Sequence, residues 1–186
     1  MVIVLVVLVL VVLAVAMAVG TYNRLVALRQ HANEAFADID VQLKQRQDLV
    51  PNLVETVKGY AAHERGTLDE VTAARAAAQS AGTVESRVQA ENQLTGALGR
   101  LFAVAEAYPN LKANENFIQL QGALSDLENK LAAARRFFNN AVAEFNAAIQ
   151  RFPAVLFAAA MGFAPREFFD LGADRAAAAT APQVKF

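Results

Sequence analysis

The sequence has no cysteine, and only two of its 186 residues are histidine. The lack of cysteine excludes disulfide bonds, thiolate metal sites and a cysteine nucleophile. Neither histidine follows a glutamate by three residues, so the Glu-x-x-His pairs that bind metals in helical bundles are absent. A zinc-protease motif at His63-Glu64 would need a second histidine at position 67, which is Thr67. Because phosphate-binding loops and nucleophile elbows are missing too, we predict no metal, no cofactor and no enzymatic activity.

Charge is absent from the start of the chain and balanced beyond it. The 17 Lys and Arg residues nearly equal the 18 Asp and Glu residues, and all of them follow Gly20. No basic block could follow a phosphate backbone, so we expect no nucleic acid as a partner. The length and composition instead indicate one folded domain behind an uncharged N-terminal segment.

The N-terminal segment is long enough to cross a membrane. Met1 to Val19 contains only Met, Val, Ile, Leu and Ala, and a helix of this length spans about 28 Å. We predict a transmembrane anchor at residues 1–20. A cleaved signal peptide is the alternative, because Ala14-Val15-Ala16 and Ala16-Met17-Ala18 have the small-residue pattern of cleavage sites. The length of the run and the lack of a preceding basic residue favour the anchor.

The orientation of the anchor follows from the nearest charges. Arg24 and Arg29 come soon after it, and the positive-inside rule then places the domain in the cytoplasm and the N-terminus outside. The opposite orientation stays open, because Asp38, Asp40 and Lys44 follow closely.

Apolar residues recur every three or four positions through most of the rest of the chain, which predicts an all-α fold. The first helix should continue the transmembrane helix to about Ala61, with a kink at Pro51. Two shorter helices are predicted at Thr67–Ser80, where Thr67 and Glu70 have capping-box spacing, and at Glu85–Ala107. Pro109 should end the third helix.

The last helix has the most regular pattern, a heptad running from Phe117 to Phe152. Such a heptad is typical of helices that pack along their length, as in coiled coils. We therefore predict an antiparallel four-helix bundle at residues 21–169 with long first and last helices. The apolar segment Val155–Phe169 should fold back over one end of the bundle, or else contact the membrane surface. Residues 170–186 are predicted to be a flexible tail.

Several polar residues lie on or beside the apolar stripes. Arg46 occupies a stripe position between Ile39 and Val50, and a buried guanidinium requires a nearby carboxylate. The aspartates near Arg46 or a glutamate of a facing helix could supply it. Asparagines beside the last heptad favour hydrogen bonds between helices. These residues form either a network that sets helix register or a ligand or partner surface: Asp38, Asp40, Arg46, Asp48, Asn52, Arg135, Asn139 and Asn146.

Several distinctive motifs occur in order along the chain. They include the run from Ala35 to Val54, which contains Gln45-Arg46-Gln47-Asp48-Leu49-Val50-Pro51-Asn52, then Ala105-Glu106-Ala107-Tyr108-Pro109 and Leu111-Lys112-Ala113-Asn114. Together they resemble the LemA family of bacterial membrane proteins over nearly the whole chain. The resemblance implies a single-pass protein of the bacterial cell membrane, a helical bundle and no established catalytic activity. Phe36 and Phe138 depart from the family, where Trp and Tyr respectively are expected, which removes two potential polar contacts.

The ending Pro182-Gln183-Val184-Lys185-Phe186 also looks like the C-terminus of that family. Pro182, Val184 and Phe186 could dock on a partner by strand addition or carboxylate capture, or the end could be unstructured. The sequence favours a membrane-anchored scaffold or adaptor that binds proteins or associates with itself. The alternative is a sensor bundle in which Arg46 and Arg135 enclose a small anion.

Overall fold

The computed structural model describes residues 1–169, and this part of the chain is helical without a β-strand. The all-α prediction is therefore confirmed. The predicted docking residues Pro182, Val184 and Phe186 lie outside the described residues. The elements in chain order are α1 (Val2–Lys58), α2 (Arg65–Ser80), α3 (Val84–Ala105), α4 (Pro109–Lys112), α5 (Glu115–Gln150) and a 3-10 turn (Ala154–Leu156).

Helix α1 joins the apolar N-terminal segment to the rest of the chain without a break. It runs from Val2 to Lys58, so the prediction that the first helix continues the candidate anchor is confirmed. It also continues through Pro51. The apolar part can span a membrane by its length and composition, and none of it is buried against the protein. The first core residue of α1 is Leu25, which is 1% exposed.

The described chain divides into two compact units, and α1 and α5 contribute to both. The first unit contains residues 1–39 and 134–168, and the second contains residues 40–133 and Phe169. The second unit has one core shared by α1, α2, α3, α4 and α5, and α2 packs directly on α3. Its most deeply buried residues, each between 0% and 1% exposed, are Val50, Leu53, Val57, Ala61, Val71, Leu94, Ala97, Leu101 and Leu111.

The first unit combines parts of α1 and α5 with the segment that follows α5. Leu25 of α1 and Phe145 of α5 share a buried cluster with Phe163, which is 3% exposed. The Phe163 ring also packs edge-on against Tyr22, with 5.6 Å between ring centroids. The segment after α5 therefore folds back on the helices, as predicted.

The heptad of the last helix is buried along most of its length. Phe117, Leu131, Phe138 and Phe145 are each at most 3% exposed. Phe152 is the exception, because it is 74% exposed. The prediction that the heptad includes Phe152 was wrong for a local reason: α5 ends at Gln150, so Phe152 no longer follows the helical period.

The capping-box prediction at Thr67 was also wrong. Helix α2 begins two residues earlier, at Arg65, and its N-cap residue Glu64 makes no side-chain cap. The capping box belongs to α3, where the Ser86 amide donates to Thr83 Oγ1 at 3.1 Å and the Thr83 amide donates to Ser86 Oγ at 3.0 Å. Serine replaces the usual Glu or Gln at the third helical position, which explains why the pattern was missed.

This assignment predicts different effects for the two threonines. Thr83→Ala should lower the free energy of unfolding by about 1 kcal/mol, because it removes the acceptor for the Ser86 amide. Thr67→Ala, inside α2, is the matched control and should lower the free energy of unfolding by clearly less. Urea unfolding of the full chain in detergent micelles, followed by far-ultraviolet circular dichroism, measures both. An equal loss for the two variants would contradict the assignment.

The turn between α3 and α5 is tied to the turn after α1 by side-chain hydrogen bonds. Tyr108 donates its hydroxyl to Glu64 Oε1 at 3.1 Å, and this hydrogen bond raises the pKa of Tyr108. The side-chain Nδ2 of Asn114 donates to the Tyr60 hydroxyl at 3.0 Å. These two contacts hold the turns together.

Candidate functional site: the Arg46 cluster

The most unusual buried groups of the second unit are a pair of opposite charges. Arg46 lies on the buried face of α1 and is 4% exposed, and Glu91 lies on the buried face of α3 and is 0% exposed. Charged side chains are almost never buried this deeply without partners. Arg46 was predicted to lie on the buried stripe near a carboxylate, either a nearby aspartate or a glutamate of a facing helix; it is buried, and the carboxylate is Glu91 of α3.

The Arg46 guanidinium is bound by side chains from two other helices. Nη1 lies 3.4 Å from Glu91 Oε2 and 3.4 Å from Glu128 Oε2, on α3 and α5 respectively. Nη2 donates to Thr95 Oγ1 at 2.8 Å. Gln47 Nε2 donates to the other Glu91 oxygen at 2.9 Å. We call Arg46, Gln47, Glu91, Thr95 and Glu128 the Arg46 cluster.

The chemistry of the Arg46 cluster is that of a neutralised, hydrogen-bonded ion pair. Removing two charges from water costs several kcal/mol for each ion, so such a pair adds little net stability. Its main effect is that α1, α3 and α5 must meet at one axial offset to satisfy every donor. Glu91 was not singled out from the sequence, although it fills the stripe position between Val88 and Leu94, as Arg46 fills a stripe position on α1.

An open cavity of about 370 Å³ lies beside the Arg46 cluster. Its polar lining includes Arg46, Thr95, Gln121, Ser125 and Glu128. The Glu128 side chain is 45% exposed, so it presents negative charge at this opening. An anion entering here would meet a carboxylate and an arginine that is already paired.

The three aspartates predicted to belong to this site do not bind Arg46. Asp40 forms an ion pair with Arg87 of α3, and both residues line a second open cavity of about 380 Å³. Asp38, Asp48 and Asn52 are exposed. Glu91, rather than any of the three aspartates, supplies the buried carboxylate for Arg46. Within residues 1–169 no group of three or more His, Asp or Glu side chains is arranged to hold a metal ion.

The remaining predicted residues belong to α5 in the first unit. Arg135 is buried and Asn139 is half-buried. Asn146 contacts the segment after α5 instead of a facing helix. Its Nδ2 donates to the Arg166 carbonyl oxygen at 2.9 Å, and its Oδ1 accepts from the Arg166 amide at 2.8 Å. The Arg166 side chain continues to α1, where Nη1 donates to Asn33 Oδ1 at 2.6 Å.

Asn146 should therefore control whether this segment stays docked. Two hydrogen bonds of about 0.5–1.5 kcal/mol each are lost in Asn146→Ala, so opening of the segment should become about ten-fold to a hundred-fold more frequent. Trypsin cleavage after Arg166 reports this opening. Asn140→Ala, at an exposed position of the same helix, is the control. If the two variants are cut after Arg166 at the same rate, Asn146 does not hold the segment.

The fold defines a class: a helical bundle protein that has one candidate membrane-spanning helix within residues 1–169. The model of the LemA family matches residues 35–186, so the chain belongs to the LemA family.

Named relatives agree with this assignment. The chain is 25% identical to magnetosome protein MamQ of Magnetospirillum gryphiswaldense over 80% of its own length and 64% of that protein. It is 27% identical to protein LemA of Metamycoplasma hominis over 72% of its length and 62% of that protein. The chain thus spans less than two thirds of these relatives, and neither name denotes an enzyme.

Proposed function

We propose that this chain is a membrane-anchored helical scaffold that binds protein partners, including copies of itself, at the bacterial cell membrane. The observation that carries the proposal is α1, whose unburied apolar part continues directly into a helix of the folded units. Such a connection holds the folded part close to the bilayer without a flexible linker. The lack of catalytic motifs in the sequence supports binding rather than chemistry.

The proposal includes an orientation. Arg24 and Arg29 are both exposed just after the apolar run, which favours a cytoplasmic location for the folded part. Because the sequence has no cysteine, a single cysteine can report its location. Asn140→Cys, at an exposed position, should be protected from a membrane-impermeant maleimide in intact cells and become labelled after lysis. Labelling in intact cells would show that the orientation is the opposite one.

Partner binding is tested by crosslinking in cells. The full chain is compared with a chain ending at Ala181, which lacks Pro182, Val184 and Phe186. Under the proposal, detergent purification and mass spectrometry recover specific crosslinks from the full chain. A distinct partner lost on truncation would assign the contact to the tail, and self-crosslinks that survive truncation would assign it to the helices. A full chain that gives no crosslink beyond those of a bare anchor would overturn the scaffold proposal.

The cavity beside the Arg46 cluster is the feature that would suit the alternative, a small-ligand sensor. Its charges argue against an anionic ligand, because Glu91 and Glu128 already neutralise Arg46. The scaffold is therefore the better-supported function.

A further inference from the structure

The segment that follows α5 contains both buried and exposed apolar residues. Ala154, Ala158 and Phe163 are each 3% exposed and belong to the buried cluster of the first unit. Four other large apolar side chains just after α5 are in contact with solvent, and groups of exposed apolar residues often mark an interaction surface. We call this set the exposed apolar patch; its exposed fractions are 74% at Phe152, 53% at Val155, 73% at Leu156 and 45% at Met161.

The pairing of α1 with α5 places the patch along the anchor helix. The rings of Phe36 and Phe138 lie 5.4 Å apart, and Leu25 shares the buried cluster with Ile149. Leu25 precedes Phe36 by 11 residues, and Ile149 follows Phe138 by 11 residues. The two helices are therefore antiparallel, and α5 ends near Leu25 of α1.

A second contact independently places the segment after α5 near the same part of α1. Phe163 packs against Tyr22 at 5.6 Å, and the Arg29 guanidinium lies 5.0 Å from the centroid of the Phe163 ring. Tyr22 comes three residues after Val19, the last residue of the apolar run, a rise of about 4.5 Å along the helix. Phe163 therefore lies beside α1 between Tyr22 and Arg29, close to the end of the apolar run.

We propose that the exposed apolar patch inserts into the lipid headgroup boundary of the same bilayer that α1 spans. This inference rests on the proposed membrane anchoring. Apolar groups at such a boundary bury to a depth of about 5–10 Å, and the patch lies in the chain between the end of α5 and Phe163, which packs on Tyr22. Arg24 and Arg151 are exposed nearby and can contact lipid phosphates, while Tyr22 suits the aromatic belt of the interface.

The bilayer is the occupant that the position of the patch favours. The anchor brings lipid close to the patch in every molecule, whereas a second protein copy would have to diffuse to it. The docked segment is also held against the helices, since Asn146 binds the Arg166 backbone and Arg166 reaches Asn33. The first unit thus gains a second lipid contact besides its anchor.

Tryptophan fluorescence in vesicles tests the proposal, because the sequence has no tryptophan of its own. Four single-tryptophan variants of the full chain are reconstituted in phosphatidylcholine and phosphatidylglycerol vesicles, with lipids brominated near the headgroup or near the chain end. Phe152→Trp and Leu156→Trp report on the patch, and Val9→Trp reports on the anchor. Phe137→Trp is the matched control. Phe137 is 47% exposed and packs on His31, about 18 Å along α1 from Val19.

The expected result is a roughly two-fold or greater loss of emission at positions 152 and 156 with lipids brominated near the headgroup, as for a ring 5–10 Å inside the boundary. Position 9 should be quenched by lipids brominated near the chain end, and position 137 by neither. Quenching at 9 without quenching at 152 and 156 would overturn the patch proposal and leave the anchor intact. No quenching at 9 would instead overturn the anchoring itself. Equal quenching at 137 and 152 would also overturn the proposal, because the lipid contact would not be confined to the patch.

Discussion

Replacing Glu91 with alanine is expected to lower the free energy of unfolding by about 3–5 kcal/mol, because it leaves a buried arginine without its main counter-charge. Glu91 is 0% exposed and Arg46 is 4% exposed, so the pair is shielded from bulk water in the folded chain. Gln47 would lose its hydrogen-bond acceptor at the same time. Urea unfolding of the full chain in detergent micelles, with the helical signal as readout, measures the loss.

Two further variants separate the charge effect from a general loss of packing. Glu128→Ala removes a partner at the same 3.4 Å distance whose side chain is 45% exposed, and should cost less than about 1 kcal/mol. Replacing Arg46 and Glu91 together with leucine should restore most of the stability, since apolar pairs often equal buried ion pairs. If Glu91→Ala lowers the free energy of unfolding no more than Glu128→Ala does, Arg46 and Glu91 do not form a buried ion pair.

In the first unit, Phe145→Ala is expected to lower the free energy of unfolding by a comparable amount, about 3–5 kcal/mol. The Phe145 ring is 1% exposed and lies 6.4 Å from the Phe163 ring, centroid to centroid. Its truncation leaves a cavity where α1, α5 and the following segment meet. Thermal unfolding of the full chain in micelles measures the effect. The segment itself should loosen too, so trypsin cleavage after Arg166 should accelerate in the same variant.

Phe137→Ala provides the matched control for this prediction. Phe137 lies on the same helix, eight residues before Phe145, but it is 47% exposed. Its truncation should lower the free energy of unfolding by about 1 kcal/mol, clearly less than for Phe145, because about half of its area stays in contact with water. Equal destabilisation by the two substitutions would mean that the heptad positions do not define the core.

The helical fold and the burial of Arg46 could be predicted because both depend on a local period. Ile39 and Val50 lie on the buried face of α1, and their spacing places Arg46 on that face too. The partner was harder to predict, because periodicity gives the buried face of each helix but not the axial offset between helices. Glu91 could have been proposed as a stripe residue, since it stands three residues from both Val88 and Leu94.

The contacts made by irregular backbone could not be predicted from the sequence. Asn146 was expected to bond across helices, but the Arg166 amide and carbonyl have no helical partners and take its side chain instead. The start of α2 illustrates a similar limit, because the Leu68 amide bonds to the Glu64 carbonyl at 3.2 Å and Thr67 is thereby drawn inside the helix. In both cases the competition for backbone hydrogen bonds decided the outcome.

Helix α1 passes without a break from its apolar segment to the buried residues of the first unit, so an anchor formed by that segment, as proposed, would resist twisting relative to those residues. Each residue of an α-helix turns by about 100°, so a single residue inserted near Gly20 would turn everything beyond it by more than a quarter revolution about the helix axis. If two such molecules paired through fixed faces of their apolar helices within the bilayer, their first units would therefore have a fixed relative orientation outside it. Under the proposed anchoring, a change in the contacts of the apolar segment would therefore be transmitted to the first unit as a rotation about the axis of α1.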